Sequence, residues 1–404
     1  MKLSEELKWR GFVQDTTLSD LKVLDDKKLS FYVGFDASAD SQTVGNLAAM
    51  MLDKLFIKHG HKAVLLAGGA TSLIGDPGGK DKERPLQDEK TVANNIAKAQ
   101  EQIERVFAGQ EFTLVNNLDW FKGMKLLDFL RDTGKHFSMT PLVQRDYIAK
   151  RMGESSGGIT YTEFSYTLLQ GYDFLKLYRD HGVTLQLAGS DQWGNSLSGV
   201  DLVRRVEGKE VHVITMPLII NKSTGVKFGK SEDGAIWLDE QKTSPYKFYQ
   251  FWLNVDDVSV EDYLKIFTEL DKKEIDEIIS DFSKDKSGRI AQKRLAEEVT
   301  KLVHGEKRAN SVKKVTEVLF GDNSKVDQLD QDEISLLSKE IPTIEFGLLS
   351  ERLIEKELVS SKGEFRRLLE SGAISINGQK ITEDVKIMEI SLIKKGKNTF
   401  ILAR

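Results

Sequence analysis

The chain has 404 residues, 40% hydrophobic and 30% charged, with a net charge of −5. That length exceeds one compact core and predicts two or three domains, and the balance is that of an ordinary soluble globular protein rather than an indiscriminate nucleic-acid binder. The absence of cysteine excludes disulfides, thiolate zinc sites and thiol catalysis, and the six histidines lack metal-site spacing.

No apolar run approaches the ~18–20 residues that span a bilayer. The start, MKLSEELKWRGF, has no signal-peptide core, so a cytoplasmic location without membrane partners is expected. In chain order, strand-like runs fall at 29–35, 62–68, 112–117, 184–189 and 212–216. Helical patterns lie between them, near 47–59, 90–107, 122–132 and 162–180. Such alternation predicts an α/β fold, a doubly wound parallel sheet, with ligands bound beyond the carboxyl ends of its strands.

The loops after those strands are where chemistry is expected. QTVGN, Gln42 to Asn46, opens the first long helix, where unpaired N–H groups and a partial positive charge suit an anion or a simple cap. GGATSLIGDPGGKDKER follows the second strand and sets Asp76 among Gly-Gly pairs, with Lys80 and Arg84 beyond it. An acid and two bases at a sheet edge suit a zwitterion, in preference to the solvated loop where such charges also occur.

TYTEFSYTLLQGYDFLKLY opens with a T-x-x-E capping box, Thr160 to Glu163. Tyr166, Gln170 and Asp173 then recur at helical spacing on one face, opposite an apolar stripe of Phe164, Leu168, Tyr172 and Leu175. GSDQWGN places Gly189, Asp191 and Gln192 before another helix, which suits ribose hydroxyls or a plain N-cap. NKSTGVKFGKSEDG carries Lys227 and Lys230 in a Gly/Ser/Thr-rich loop, where a closing segment could bring charge to a polyphosphate.

Beyond Ser244 the strand signal vanishes. VEDYLKIFTELDKKEIDEII and IAQKRLAEEVTKLVHG are amphipathic helices, and DNSKVDQLDQDE reads as a loose polar connection; then two short helices, LLSERLIEKELV and KGEFRRLLESG, lead to AISINGQKI, a strand pair with an Asn377-Gly378 hairpin turn. The expected domains are a catalytic sheet domain 1–220, a loop and connection 221–243, a helical domain 244–320, a linker 321–345 and a small α+β module 346–404.

Taken in order, GGATSLIGDP, NNLDWF, FLRDTGKHFS, YTEFSYTLLQGYDF, GSDQWGN, KFGKS and KTSPYKFYQFW resemble the bacterial-type tyrosyl-tRNA synthetases, class I enzymes, over essentially the whole chain. The resemblance implies a Rossmann-like catalytic domain, an α-helical anticodon-recognition domain and a C-terminal RNA-binding module. It implies activation of tyrosine by ATP with Mg²⁺, no protein-held metal, transfer to tRNA, and a homodimer.

By the same resemblance QTVGN stands at the HIGH signature, with Gly45 leaving room for adenine, Asn46 replacing the second His and Thr43, a shorter donor, replacing the first. Tyr32 and Asp173 would bind the substrate phenol; Asp76, Tyr166, Gln170 and Gln192 would hold the amino acid. Asp36, Ser38, Gly189 and Asp191 would serve ATP and the adenylate, and Lys227, Lys230 and Ser231 form the KMSKS-like loop. Lys362, Arg366 and Arg367 would meet tRNA. Two competing readings remain: a tryptophanyl-tRNA synthetase, and an RNA-binding protein on a synthetase scaffold disabled at Thr43.

Overall fold

The computed structural model describes residues 1–76, 86–144, 148–149, 158–225, 228, 230–231, 234–397 and 399–404, with backbone alone for Pro141, Lys230 and Ser231. A six-stranded sheet is built from β1 (Asp15–Thr16), β2 (Ser30–Phe35), β3 (Lys62–Ala67), β4 (Phe112–Asn116), β5 (Val183–Gly189) and β6 (His212–Met216). Its order is β1-β6-β5-β2-β3-β4. All neighbours are parallel except β1 on β6, a short edge strand that the sequence reading did not anticipate.

The order reverses between β2 and β5, and in such sheets the crevice at the reversal receives the ligand. The near-continuous apolar run of β3 follows from burial on both faces of a parallel sheet. Tyr32, Val64, Leu66, Phe174, Leu177, Val183, Leu202 and Val213 share one core between this sheet and the helices Tyr161–His181 and Trp193–Glu207. Those helices approach closely at Gly199, where a Cβ would lie 2.8 Å from that of Phe174.

The expected box caps helix Tyr161–His181: the Glu163 amide donates to Thr160 Oγ1 and the Thr160 amide to Glu163 Oε2. The run from 260 to 279, read as one helix, is two, Val260–Phe267 and Lys272–Lys284. The break has a local cause, because Asp271 and Glu274 form a second reciprocal cap that starts a new helix.

The chain divides into two compact units: residues 1–243 with 255–295, and residues 244–254 with 296–404. In the second unit the stretch expected to be a loose linker is ordered. It carries a 3-10 turn, Asn323–Gln328, and a helix, Gln331–Glu340, started by the Asp330/Glu333 box and held by buried Val326, Ile334 and Leu337. A polar composition concealed these three apolar anchors.

The C-terminal part has its own core around Leu349, Leu353, Phe365, Leu369, Ile374, Ile393 and Ile401. The predicted hairpin is present: Ile374–Ile376 pairs with Gln379–Lys380, and Asn377 and Gly378 take positive φ of 48° and 81°.

Candidate active site

Four strand ends and one helix converge at the crevice between β2 and β5. Asp36 directly follows β2, Gly68 follows β3, Asn117 follows β4 and Gly189 ends β5. The helix Tyr161–His181 contributes Tyr166, Gln170 and Asp173. Asp36 Oδ2 accepts from the Tyr166 hydroxyl at 2.9 Å, and Oδ1 accepts from Thr71 at 2.8 Å. A Cβ on Gly68 would sit 2.3 Å from Asp36 Oδ1 and 2.4 Å from Thr71 Oγ1, so this pair requires glycine.

Deeper in, Asp173 is 1% exposed. Asn117 Nδ2 donates to its Oδ2 at 3.1 Å and Trp120 Nε1 to its Oδ1 at 2.9 Å. Burial pushes this carboxyl up to about 7; the two donors pull it down, and the charge of Asp36 adds to the rise. Tyr32, also 1% exposed, packs edge-on against Phe174 with ring centroids 5.0 Å apart. Among the described residues its buried hydroxyl has no hydrogen-bond partner, and burial with the charge of Asp173 holds the phenol well above its usual range. Gln170 Oε1 is likewise buried and unpartnered. Leaving a buried polar atom unmatched costs about 1–3 kcal/mol, so both atoms favour an incoming polar partner.

A second relay orders the mouth of the crevice. Gln192 Nε2 donates to Asp76 Oδ2 at 2.9 Å, Asn195 Nδ2 to Gln192 Oε1 at 3.1 Å, and the Thr167 hydroxyl to Asn195 Oδ1 at 2.9 Å. A Cβ on Gly189 would fall 2.6 Å from Asp191 Oδ1, so any larger residue there would displace that carboxylate. Asp36, Asp76 and Asp173 bring three carboxyl groups to the crevice.

The helix expected to begin near Asn46 starts at Val44, with Thr43 as its N-cap. The Thr43 amide and hydroxyl both donate to Asn46 Oδ1, at 2.9 and 2.8 Å. The two residues expected to meet phosphate are thus paired with each other, because the first turn of a helix must satisfy its own polar groups. Gly45 and Asn46 are exposed, as is Ser38.

Lys80, Arg84 and Lys227 lie outside the described residues, as do the side chains of Lys230 and Ser231, whose backbone pairs antiparallel with Gly234–Ala235. Lys362, Arg366 and Arg367 are exposed on the helix Lys362–Glu370 of the second unit, whose opposite side buries Phe365 and Leu369. Among the described residues no group of three or more His, Cys, Asp or Glu side chains could hold a metal ion, and no helix is long and apolar enough to cross a membrane.

Sequence reasoning gave no role to Thr71, Asn117 or Trp120. The signal for two of them was in view, since NLDW directly follows β4 and an amide and an indole are costly to bury without a task.

Residues 24–321 match the family model for class I tRNA synthetases (W and Y), and residues 333–404 match the C-terminal domain of tyrosine–tRNA ligases. The chain is similar to a tyrosine–tRNA ligase of Lactococcus lactis subsp. cremoris, 44% identical over 100% of both chains. It is also similar to one from Bacteroides fragilis, 42% identical over 100% of this chain and 99% of the other. Among solved structures it resembles a C-terminally truncated mitochondrial tyrosyl-tRNA synthetase of Aspergillus nidulans, 31% identical with a TM-score of 0.71, covering 79% of this chain and 94% of that one.

Proposed function

We infer that this chain, which belongs to the class I tRNA synthetases and joins tyrosine to tRNA at the expense of ATP, reads the tyrosine side chain with Tyr32 and Asp173. The observation that carries the reading is the buried, unpartnered Tyr32 hydroxyl beside the electrostatic influence of Asp173. A substrate phenol entering there would donate to one and accept from the other. Asn117 and Trp120 fix the carboxylate for that contact.

At the other end of the amino acid, Asp76, Tyr166 and Gln170 receive the ammonium. Tyr166 spends its proton on Asp36, which leaves its oxygen free to accept. Gln192 is held by Asp76 and Asn195 with its amide near the carboxylate. That carboxylate attacks the α-phosphate of ATP, whose Mg²⁺ travels with the nucleotide, and pyrophosphate leaves. Catalysis here needs positioning and donors for developing phosphate charge rather than a protein nucleophile.

Gly45, Ser38, Gly189 and Asp191 would hold the nucleotide. Asn46 and the loop residues Lys227, Lys230 and Ser231 would meet its phosphates, with Lys80 and Arg84 nearby. The tyrosyl group then passes to tRNA held partly by Lys362, Arg366 and Arg367. Neither the tryptophan-specific reading nor that of a disabled RNA-binding protein has support among the relatives, whose names and full-length match are those of tyrosine–tRNA ligases.

A homodimer is part of the same proposal. Leu126, Leu127 and Met139, between β4 and the Tyr166 helix, and Tyr161 at that helix's start are 57–77% exposed, an apolar display that a second copy would cover. Sedimentation of the protein tests it, with a monomer at micromolar concentration counting against it. The substrate assignment is tested by tyrosine-dependent ATP–pyrophosphate exchange: Asp173→Ala should abolish it, and near-parental exchange overturns the assignment.

A further inference from the structure

The lysine-bearing loop is gripped on both of its arms. On the entry side the ring of Phe228, between Lys227 and Lys230 in sequence, stacks on Tyr263 with centroids 4.2 Å apart and planes at 30°. Phe267 closes the same pocket at 5.7 Å. The Phe228 amide donates to the Ile219 carbonyl at 2.8 Å, the Tyr263 hydroxyl reaches the Ile220 carbonyl at 3.4 Å, and Lys222 pairs with Asp262. Phe228, Tyr263 and Phe267 are all buried.

On the exit side, Val44 N–H donates to the Ile236 carbonyl at 3.1 Å and Leu238 N–H to the Gln42 carbonyl at 2.9 Å. QTVGN is therefore strapped to the chain leaving the loop. The helix Val260–Phe267 that carries Tyr263 is itself clamped by Arg10. That buried guanidinium donates to the carbonyls of Lys265 (2.6 Å), Thr268 (3.1 Å) and Leu270 (2.8 Å), and to Glu6 at 2.9 Å. Glu6 in turn pairs with His59, the C-cap of the helix that QTVGN begins.

We propose that Tyr263 is a positioning residue for adenylate formation: by holding Phe228 it fixes the entry arm of the loop whose lysines serve the ATP phosphates. The inference rests on the loop role given above and adds the residue that sets its geometry. Placement of a catalytic charge to within about 1 Å governs such a step, so a buried aromatic anchor on the entry arm bears directly on the rate. None of these contacts reaches Tyr32 or Asp173, so tyrosine binding should be indifferent to them.

Single-turnover adenylate formation, tyrosine affinity by equilibrium dialysis and melting temperature are measured for Tyr263→Ala, Tyr263→Phe and Lys230→Ala in the full chain. Tyr263→Ala should slow adenylate formation by roughly 10- to 100-fold, the cost of displacing a catalytic charge by about 1 Å. Its tyrosine affinity should match the parent's. Tyr263→Phe keeps the stacking ring and should restore the parental rate.

A parental rate in Tyr263→Ala, a parallel loss of tyrosine affinity, or no rescue by Tyr263→Phe overturns the proposal. Lys230→Ala separates the two layers. If it leaves adenylation unchanged, the loop role fails and the proposal with it; if it is impaired while Tyr263→Ala is not, the anchor alone is wrong. Should Tyr263→Ala not fold, Tyr263→Leu, which keeps apolar bulk without a flat ring, carries the same expectation and the same refutation.

Discussion

Trp120 Nε1 donates to Asp173 Oδ1 at 2.9 Å, binding an indole on the turn after β4 to a carboxyl midway along the helix Tyr161–His181. With Asn117 on the other oxygen, the carboxyl is oriented by two donors yet still pushed up to about 7 by burial. A group aimed but poorly solvated gains when a further donor arrives, which is how a site prepared for a phenol should look.

A pH dependence follows from that shift. The folded-state value lies above the ordinary 3.8, so the neutral form favours folding below about pH 4 and that contribution is lost as pH climbs through about 7. Asp173→Asn, which has nothing to ionise, escapes the loss. Measured against the parent from pH 4 to pH 8, the variant should gain roughly 2–4 kcal/mol of relative stability. A stability difference that is flat across this range refutes the assignment of the shift.

Tyr32→Phe should separate stability from binding. The hydroxyl is buried without a partner among the described residues, so removing it should leave the melting temperature unchanged or raise it. Tyrosine affinity should fall by about 1–1.5 kcal/mol, the usual worth of one hydrogen bond, while phenylalanine affinity stays put. Equal losses for both amino acids would mean the residue only packs.

Strands and caps were legible because their causes are local: apolar runs of strand length, T-x-x-E, Asn-Gly. The face shared by Tyr166, Gln170 and Asp173 was legible for the same reason, since periodicity alone sets it. What Asp173 touches was not, because Asn117 and Trp120 come from another strand end and meet it only once β4 lies beside β3. The ordered stretch 323–340 was missed because its few apolar anchors are spread among charges. Likewise, Arg10 reads as an ordinary surface base until its carbonyl partners 255 to 260 residues away are known.

Removal of residues 331–404 should divide the two half-reactions. The C-terminal module buries its own core, and the described residues named at the sheet crevice all belong to the first unit. Tyrosyl-adenylate should form at the parental rate while tRNA charging collapses. In the full chain, charging should weaken steeply with salt, because a protein of net charge −5 must bind phosphate through local patches such as Lys362, Arg366 and Arg367. Equal loss of both steps would show that the unit roles are misassigned.

Thr43 is where the chain departs most from the HIGH pattern, and its geometry now distinguishes two roles. Its hydroxyl proton is given to Asn46 Oδ1, so in this arrangement Thr43 offers phosphate nothing, while the Asn46 amide keeps its own protons. Thr43→Ala should therefore lower stability by about 1 kcal/mol, the usual worth of the one side-chain hydrogen bond it loses, with little effect on adenylate formation. Asn46→Ala should slow that step far more, since loss of one donor to developing charge costs about 3 kcal/mol. Thr43→His restores a longer donor at the same N-cap and should raise the adenylation rate at unchanged tyrosine affinity, because the added contact matters only as charge moves onto pyrophosphate. Single-turnover kinetics on the three variants checks the set. A Thr43→Ala protein as slow as Asn46→Ala would put the threonine itself on the phosphates, and a Thr43→His protein no faster than the parent would show that the site lacks no donor.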